Sequence, residues 1–200
     1  MPKRQSAVDR AKKIKLLLFD VDGVLTDGKL FIFPLPRPGI TTQDEGPDFG
    51  PVLEVKGFHA HDGLGISIAR LAGLKTGVIT KRVSATVALR ARDLKMDYVR
   101  QGIHDKQSAF EEILKQEGLS ASEAAYVGDD VIDLPVLRRC GLAIAVANAR
   151  PEVKREVHYA TAHSGGDGAA RDAIEFVLKA QRKWKQVFEQ YISQRPRSST

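Results

Sequence analysis

The run Leu16-Leu17-Leu18-Phe19 breaks off into Asp20-Val21-Asp22-Gly23. With Lys15 before it, the run is too short and too apolar for an exposed helix, so it reads as a strand. Similar short runs recur at 75–80, 97–100, 124–127, 142–146 and 157–160. Between them the apolar residues follow helical spacing: Leu64, Ile68 and Leu71 share one face, Val83, Val87, Ala91 and Leu94 another, and Phe110, Ile113 and Leu114 a third. Short strands alternating with amphipathic helices dictate an α/β fold, a single Rossmann-like parallel sheet flanked by helices. A last helix is expected from near Asp167, with Ile174, Val177, Leu178, Trp184, Phe188 and Tyr191 along one side.

The alternation fails once. Residues 30–33 and 52–58 read as two strands joined by a connector rich in Pro, Gly and acids. The expected feature is a β-hairpin insertion after the first strand, at about 29–58, with no separate cap domain. So long a connector, 34–51, suits a lid, a subunit contact or a plain surface loop. The expected organisation is a basic N-terminal tail at 1–13, one domain at 14–192 and a C-terminal tail at 193–200.

The formal charge of +6 collects at both ends, in Lys3, Arg4, Arg10, Lys12, Lys13 and Lys15, and in Arg182, Lys183, Lys185, Arg195 and Arg197. Basic termini can bind nucleic acid, but no zinc-finger, aromatic RNA-binding or helix-turn-helix pattern accompanies these. Solvated tails are the simpler reading, and a positive field suits a small anionic substrate. No apolar stretch approaches the roughly 20 residues of a membrane span, and no signal-peptide centre precedes the first strand. The chain therefore reads as cytoplasmic, with neither nucleic acid nor membrane as partner. The single cysteine, Cys140, can form no internal disulfide and reads as a small buried residue.

Two carboxylates two residues apart, Asp20 and Asp22, stand at the C-terminal end of the first apolar run, where open α/β sheets place their ligands. They repel each other unless a cation, a proton or a donor network intervenes. A hard divalent ion held by oxygen resolves this, and magnesium fits. A second acidic cluster, Gly128-Asp129-Asp130-Val131-Ile132-Asp133, follows another apolar run and can close the same site from the other side. Between the clusters lie Thr80, at the end of a run, and Lys106, near a helix start. A hydroxyl and an ammonium beside a metal are what a dianionic phosphoryl group needs as its charge spreads.

In this order and spacing the chain resembles the haloacid dehalogenase-type phosphatase superfamily, and more closely its capless subfamily of 3-deoxy-D-manno-octulosonate 8-phosphate phosphatases. The stretches that carry the resemblance are LLLFDVDGVLTDG, Phe58-His59-Ala60-His61-Asp62-Gly63-Leu64-Gly65-Ile66, Tyr98-Val99-Arg100-Gln101-Gly102, AAYVGDDVIDLPVL and Gly165-Gly166-Asp167-Gly168-Ala169. They span roughly residues 14–180. The resemblance implies Asp20 as covalent nucleophile, Asp22 as acid/base, and Thr80 and Lys106 on the phosphoryl oxygens. It implies magnesium held by Asp20, the backbone carbonyl of Asp22, and Asp129, with Asp130 and Asp133 orienting these ligands. It further implies that His59, His61, Asp62, Gly63, Arg82 and Arg90 hold a phosphorylated sugar acid, the eight-carbon acid of lipopolysaccharide being first choice. A homotetramer is implied as well, with the hairpin closing a neighbour's site and the stretch 165–168 reaching toward it.

Some positions depart from the pattern. Lys81 stands where the family has glycine, His61 where many relatives have arginine, and Ser67 replaces another basic residue. A left-handed backbone at 81 would strain a lysine; histidine is a weaker, pH-dependent anion contact. These changes keep open a nine-carbon sugar-acid phosphatase, a broader small-phosphate phosphatase, and a noncatalytic oligomerisation module. A signalling receiver also gathers acids, Thr and Lys around magnesium. It carries its nucleophile on a middle strand, which the position of Asp20 disfavours.

Overall fold

The first apolar run can be buried on both faces only if layers cover both sides of it, and this is what the chain builds. The computed structural model describes residues 5–35 and 52–193. In chain order the elements are α1 (Ala7–Ala11), β1 (Leu16–Phe19), β2 (Phe31–Pro34), β3 (Val52–Val55), α2 (Ala60–Leu71), β4 (Lys75–Ile79), α3 (Ala85–Asp93) and β5 (Tyr98–Arg100). There follow α4 (Lys106–Glu117), β6 (Ala124–Gly128), α5 (Leu134–Leu137), β7 (Leu142–Ala145), α6 (Pro151–Lys154), β8 (Tyr159–Ala160), α7 (Ala169–Ala180) and α8 (Trp184–Ser193).

The main sheet runs β5-β4-β1-β6-β7-β8, every pairing parallel. All residues of β1, β6 and β7 are buried, as strands covered by helices on both faces must be. Phe19, Tyr126 and Phe110 are the bulkiest fully buried side chains, joined by Leu16, Leu17, Leu18, Ile66, Ile68 and Ile113. From β1 the chain builds outward to β4 and β5 on one side, then returns to β6 on the other. That reversal opens a crevice at the carboxyl ends of β1, β4 and β6, the place where such sheets bind ligands. The expected α/β architecture is therefore present, with strand limits shifted by a residue or two.

The hairpin is also present. β2 and β3 pair antiparallel, with Phe31 opposite Val55 and Phe33 opposite Leu53, as a separate two-stranded sheet. The strand expected over 52–58 ends at Val55, and most of the connector 34–51 lies outside the described residues. The C-terminal tail lies outside them too, apart from Ser193.

Two features differ from the sequence reading. The basic segment read as an N-terminal tail contains α1, capped by Ser6, whose hydroxyl accepts the Asp9 N–H at 3.1 Å. Ala11 is fully buried, and the Gln181 side-chain amide donates to the carbonyls of Ala11 (3.2 Å) and Ile14 (2.7 Å). The expected single last helix is two helices. Arg182 takes a left-handed φ of 58°, and the N–H groups of Arg182 and Lys183 return to the carbonyls of Lys179 and Leu178. This is a Schellman ending, which terminates α7 and lets α8 start in a new direction. No helix among the described residues is long and apolar enough to cross a membrane.

Candidate active site

Parallel register decides which side chains meet. Phe19 pairs with Val78 on β4 and with Val127 on β6, so Asp20 stands just past one strand, Thr80 just past the next and Asp129 just past the third. The Asp20 backbone N–H still donates to the Val127 carbonyl at 3.0 Å, which holds the residue to the sheet edge. Thr80 is buried, its N–H bonded to the Arg100 carbonyl at 2.9 Å. Lys106 opens α4, whose first turn is capped by Asp105 accepting the Ser108 N–H at 3.1 Å.

Glycines let these elements approach. Gly23 has φ 93°, and a Cβ there would run into the Asp129 carboxylate. Gly165 lies against the Gly23 carbonyl so closely that any side chain would collide with it. The Gly166 N–H donates to the Val24 carbonyl at 3.0 Å, and the Gly165 N–H to Asn148 Oδ1 at 2.9 Å. The glycine-rich stretch thus packs on its own chain's turn after β1.

Lys106 lies between two carboxylates, its Nζ 2.9 Å from Asp20 Oδ1 and 2.7 Å from Asp133 Oδ1. Asp133 is completely buried and fully engaged. Oδ1 accepts from Lys106 and from the Tyr126 hydroxyl (2.9 Å), and Oδ2 accepts the N–H groups of Asp129 (3.0 Å) and Asp130 (3.4 Å). Asp130 is exposed and caps the following turn by accepting the Val131 N–H at 2.7 Å.

One ammonium cannot neutralise the group. Burial, with the charge of Asp133 added, pushes the Asp20 carboxyl up to about 6 despite Lys106. Burial and the charges of Asp133, Asp20 and Asp130 push Asp129 up to about 7. For Lys106 burial opposes the charged form, but Asp133 and Asp20 outweigh it and hold the ammonium above its ordinary range.

Ligand atoms of Asp20, Asp129 and Asp133 lie within 4.8 Å of one another. Asp129 Oδ1 is buried and has no hydrogen-bond partner among the described residues. A crowded, oxygen-only donor set with an unsatisfied buried oxygen fits a hard divalent cation such as magnesium. Within this set Asp133 is the residue whose two oxygens are both already hydrogen-bonded.

The residues expected on a sugar acid divide into groups. His59, Asp62, Gly63 and Arg90 line one small cleft with Leu25 and Phe58. Gly63 makes room for the Arg90 guanidinium, which lies 5.9 Å from the centre of the Phe58 ring. His59 caps α2, and its ring meets that of His61 edge-on at 4.7 Å. His61, however, lines a separate depression with His163, Asp167 and Arg171. The buried Asp62 carboxylate accepts the N–H groups of Arg171 (2.8 Å) and Gly168 (3.3 Å), pinning the start of α7 to α2. The Ser67 hydroxyl donates to the Gly63 carbonyl at 3.1 Å. Arg82 is directed to Asp22 and Glu54 instead, its Nε 3.8 Å from Asp22 Oδ2.

Two further residues join these groups. Tyr126 shares its hydroxyl with Asp133 from the floor of the site, and Lys56 contacts Asp22. Tyr126 looks like one more apolar strand residue, and Lys56 pairs with a partner far away in the chain, so neither leaves a local pattern. Cys140 is buried as expected, its thiol pushed up to about 12 by burial and so inert.

Residues 85–172 match the family of haloacid dehalogenase-like hydrolases. The chain is 35% identical to the 3-deoxy-D-manno-octulosonate 8-phosphate phosphatase of Yersinia pestis, over 91% of this chain and 89% of that protein. It is 34% identical to the phosphatase of the same name from Escherichia coli K12, over 96% and 93% respectively. The crystal structure of the Moraxella catarrhalis phosphatase, in complex with magnesium ion, phosphate ion and KDO, superposes with a TM-score of 0.81 at 33% identity, covering 92% of this chain and 97% of that one. The chain belongs to the 3-deoxy-D-manno-octulosonate 8-phosphate phosphatase family of haloacid dehalogenase-like hydrolases.

Proposed function

We propose that this phosphoric monoester hydrolase releases phosphate from 3-deoxy-D-manno-octulosonate 8-phosphate, with Asp20 as nucleophile. The observation that carries the reading is the Lys106-bound Asp20 at the sheet's carboxyl edge, facing Asp129 across the turn at Gly23. An Asp20 oxygen attacks phosphorus as the bond to the sugar oxygen breaks, giving an aspartyl-phosphate. Asp22 gives its proton to the leaving alkoxide. Water then attacks the same phosphorus, Asp22 takes the proton back, and phosphate leaves with Asp20 restored. Thr80 and Lys106 bind the phosphoryl oxygens in both steps, and Asp133 with Tyr126 holds Lys106 in place. Asp20, Asp129 and the Asp22 backbone carbonyl would hold magnesium, which when bound supplies charge stabilisation to those oxygens.

His59, Gly63 and Arg90 would take the sugar acid, with Arg82 and His61 at its edges. Asp62 supports them through α7, and Asp130 shapes the turn that presents Asp129. A broader small-phosphate specificity is favoured by two observations: the Ser67 hydroxyl is spent on Gly63, and His61 lines another depression. The noncatalytic reading loses its main argument. The left-handed non-glycine residues among those described are Lys95 and Arg182, so Lys81 sits on ordinary backbone. A cytoplasmic location suits a phosphorylated substrate that does not cross membranes unaided.

The hairpin supports a homotetramer. Phe31, Ile32, Phe33, Val52, Leu53 and Val55 are all about half exposed, and Phe31, Phe33, Leu53 and Val55 together make one face of the two-stranded sheet wholly apolar. A lone hairpin is marginal in water, and apolar surface gathered in this way marks an association site. Light scattering should return four chains per particle; a monomer at micromolar concentration would remove the tetramer.

The purified chain should release phosphate from the eight-carbon substrate, with magnesium, well above its rate on common sugar phosphates. Asp20→Asn should abolish turnover with the fold retained, and Asp22→Asn should slow it by about 10²–10⁴-fold. Release from an aryl phosphate but not from the sugar acid would keep the phosphatase and discard the substrate. A near-normal Asp22→Asn rate would remove the acid/base role.

Metal and pH should be linked. The raised carboxyls of Asp20, about 6, and Asp129, about 7, favour the protonated form in the fold. Their contribution to stability is therefore full below the ordinary carboxylate range and is lost as pH rises through 6 to 7. A cation competes with those protons, so the melting-temperature gain from magnesium should grow between about pH 5 and 8. Asp129→Asn should flatten this dependence, and a pH-independent gain in the unaltered protein would contradict the shared site.

A further inference from the structure

Lys56 lies one residue beyond β3, at the base of the hairpin, with its side chain only 1% exposed. An ammonium so deeply buried is tolerated only when it is closely paired. Its Nζ contacts Asp22 Oδ1 and lies 3.5 Å from Glu54 Oε1. Arg82 closes the group from the end of β4, 3.8 Å from Asp22 Oδ2 and 3.3 Å from Glu54 Oε1. Two cations thus face the carboxyl groups of Asp22 and Glu54. Burial works against the Glu54 charge, but a hydrogen bond from Ser84 and the charges of Lys56 and Arg82 hold its carboxyl below the ordinary range. Glu54 therefore stays an anion that anchors both cations.

Asp22 is placed differently from Asp20. It belongs to the turn after β1, its side chain is 22% exposed, and Lys56 is the cation in direct contact with it. General-acid transfer requires the donor oxygen within hydrogen-bond reach of the leaving oxygen, so a carboxyl free to rotate spends little time there. We infer that Lys56 is a positioning residue for the acid/base step, fixing the direction of the Asp22 carboxyl and tying it to the hairpin. The inference rests on the reading of Asp22 as acid/base. Glu54 and Lys56 belong to the hairpin, whereas Asp22 and Arg82 belong to the sheet edge. Seating the hairpin and aiming Asp22 are then one event. Lys56 is distinct from the phosphate-binding Lys106: its buried ammonium is directed to the Asp22 and Glu54 carboxyl groups.

The test is the dependence on leaving group. The octulosonate substrate expels a primary alkoxide that needs a proton, whereas p-nitrophenyl phosphate expels a phenolate that scarcely does. Asp22→Asn and Lys56→Met are compared on both substrates by kcat/KM, with melting curves and light scattering to verify fold and assembly. Lys56→Met should lose about 10²-fold on the alkyl phosphate and less than about tenfold on the aryl phosphate, the pattern of a misplaced general acid. Lys56→Arg, which keeps a cation at the site, should recover part of the alkyl loss. If Lys56→Met does not fold, Lys56→Gln carries the same comparison. Equal losses on both substrates, or none, with Asp22→Asn still selective, would overturn the positioning role and leave the phosphatase intact. Equal losses for Asp22→Asn itself would overturn the acid/base reading on which the inference stands.

Discussion

Three carboxylates and one ammonium are packed at the ends of β1 and β6, and the arrangement is short of positive charge. Lys106 bonds Asp20 and Asp133, and Asp133 is further satisfied by Tyr126 and two backbone N–H groups. Asp129 Oδ1 has no hydrogen-bond partner among the described residues, and burial with the charges of Asp133, Asp20 and Asp130 pushes its carboxyl up to about 7, as burial pushes that of Asp20 up to about 6. Such a cluster disfavours the folded state unless a cation or a proton completes it. The sheet beneath it must therefore be rigid and apolar. The wholly buried strands β1 and β6, with Phe19 and Tyr126 between layers of helices, provide that base. Gly23 and Gly165 follow from the same demand, because a side chain at either would push the turn after β1 away from its neighbours.

The hairpin is the second constraint. Its strands expose apolar side chains, yet Lys56 just beyond β3 is buried against Asp22 and Glu54, and Glu54 also meets Arg82. If Asp22 is the acid/base proposed here, the position of the hairpin and the direction of that carboxyl are linked through Lys56.

Residues whose chemistry demands a type at a strand end were legible from the chain alone. Asp20, Thr80, Lys106 and Asp129 all come to the crevice, because short apolar runs predict parallel strands and parallel strands align their carboxyl ends. Pairings between distant segments were not legible. Lys56 and Asp22 are separated by 34 positions, and no periodicity links them. Asp62 resembles a substrate ligand in its motif, and only the fold reveals that its oxygens also accept N–H groups at the start of α7. The break at Arg182 was hidden because the apolar stripe from Ile174 to Tyr191 keeps helical spacing across it, and arginine is not a residue that signals a left-handed ending. The Ser6 cap that starts α1 was visible in principle, but the surrounding positive charge favoured reading a tail.

The central claim is that Asp20 carries the phosphoryl group covalently. The direct measurement is a rapid acid quench of the protein during turnover of substrate labelled in its phosphate, followed by peptide mapping. Acid-stable, hydroxylamine-labile label is expected on the peptide containing Asp20, appearing no later than free phosphate. Phosphate release at full rate with no protein-bound label, or label on a different residue, would contradict it.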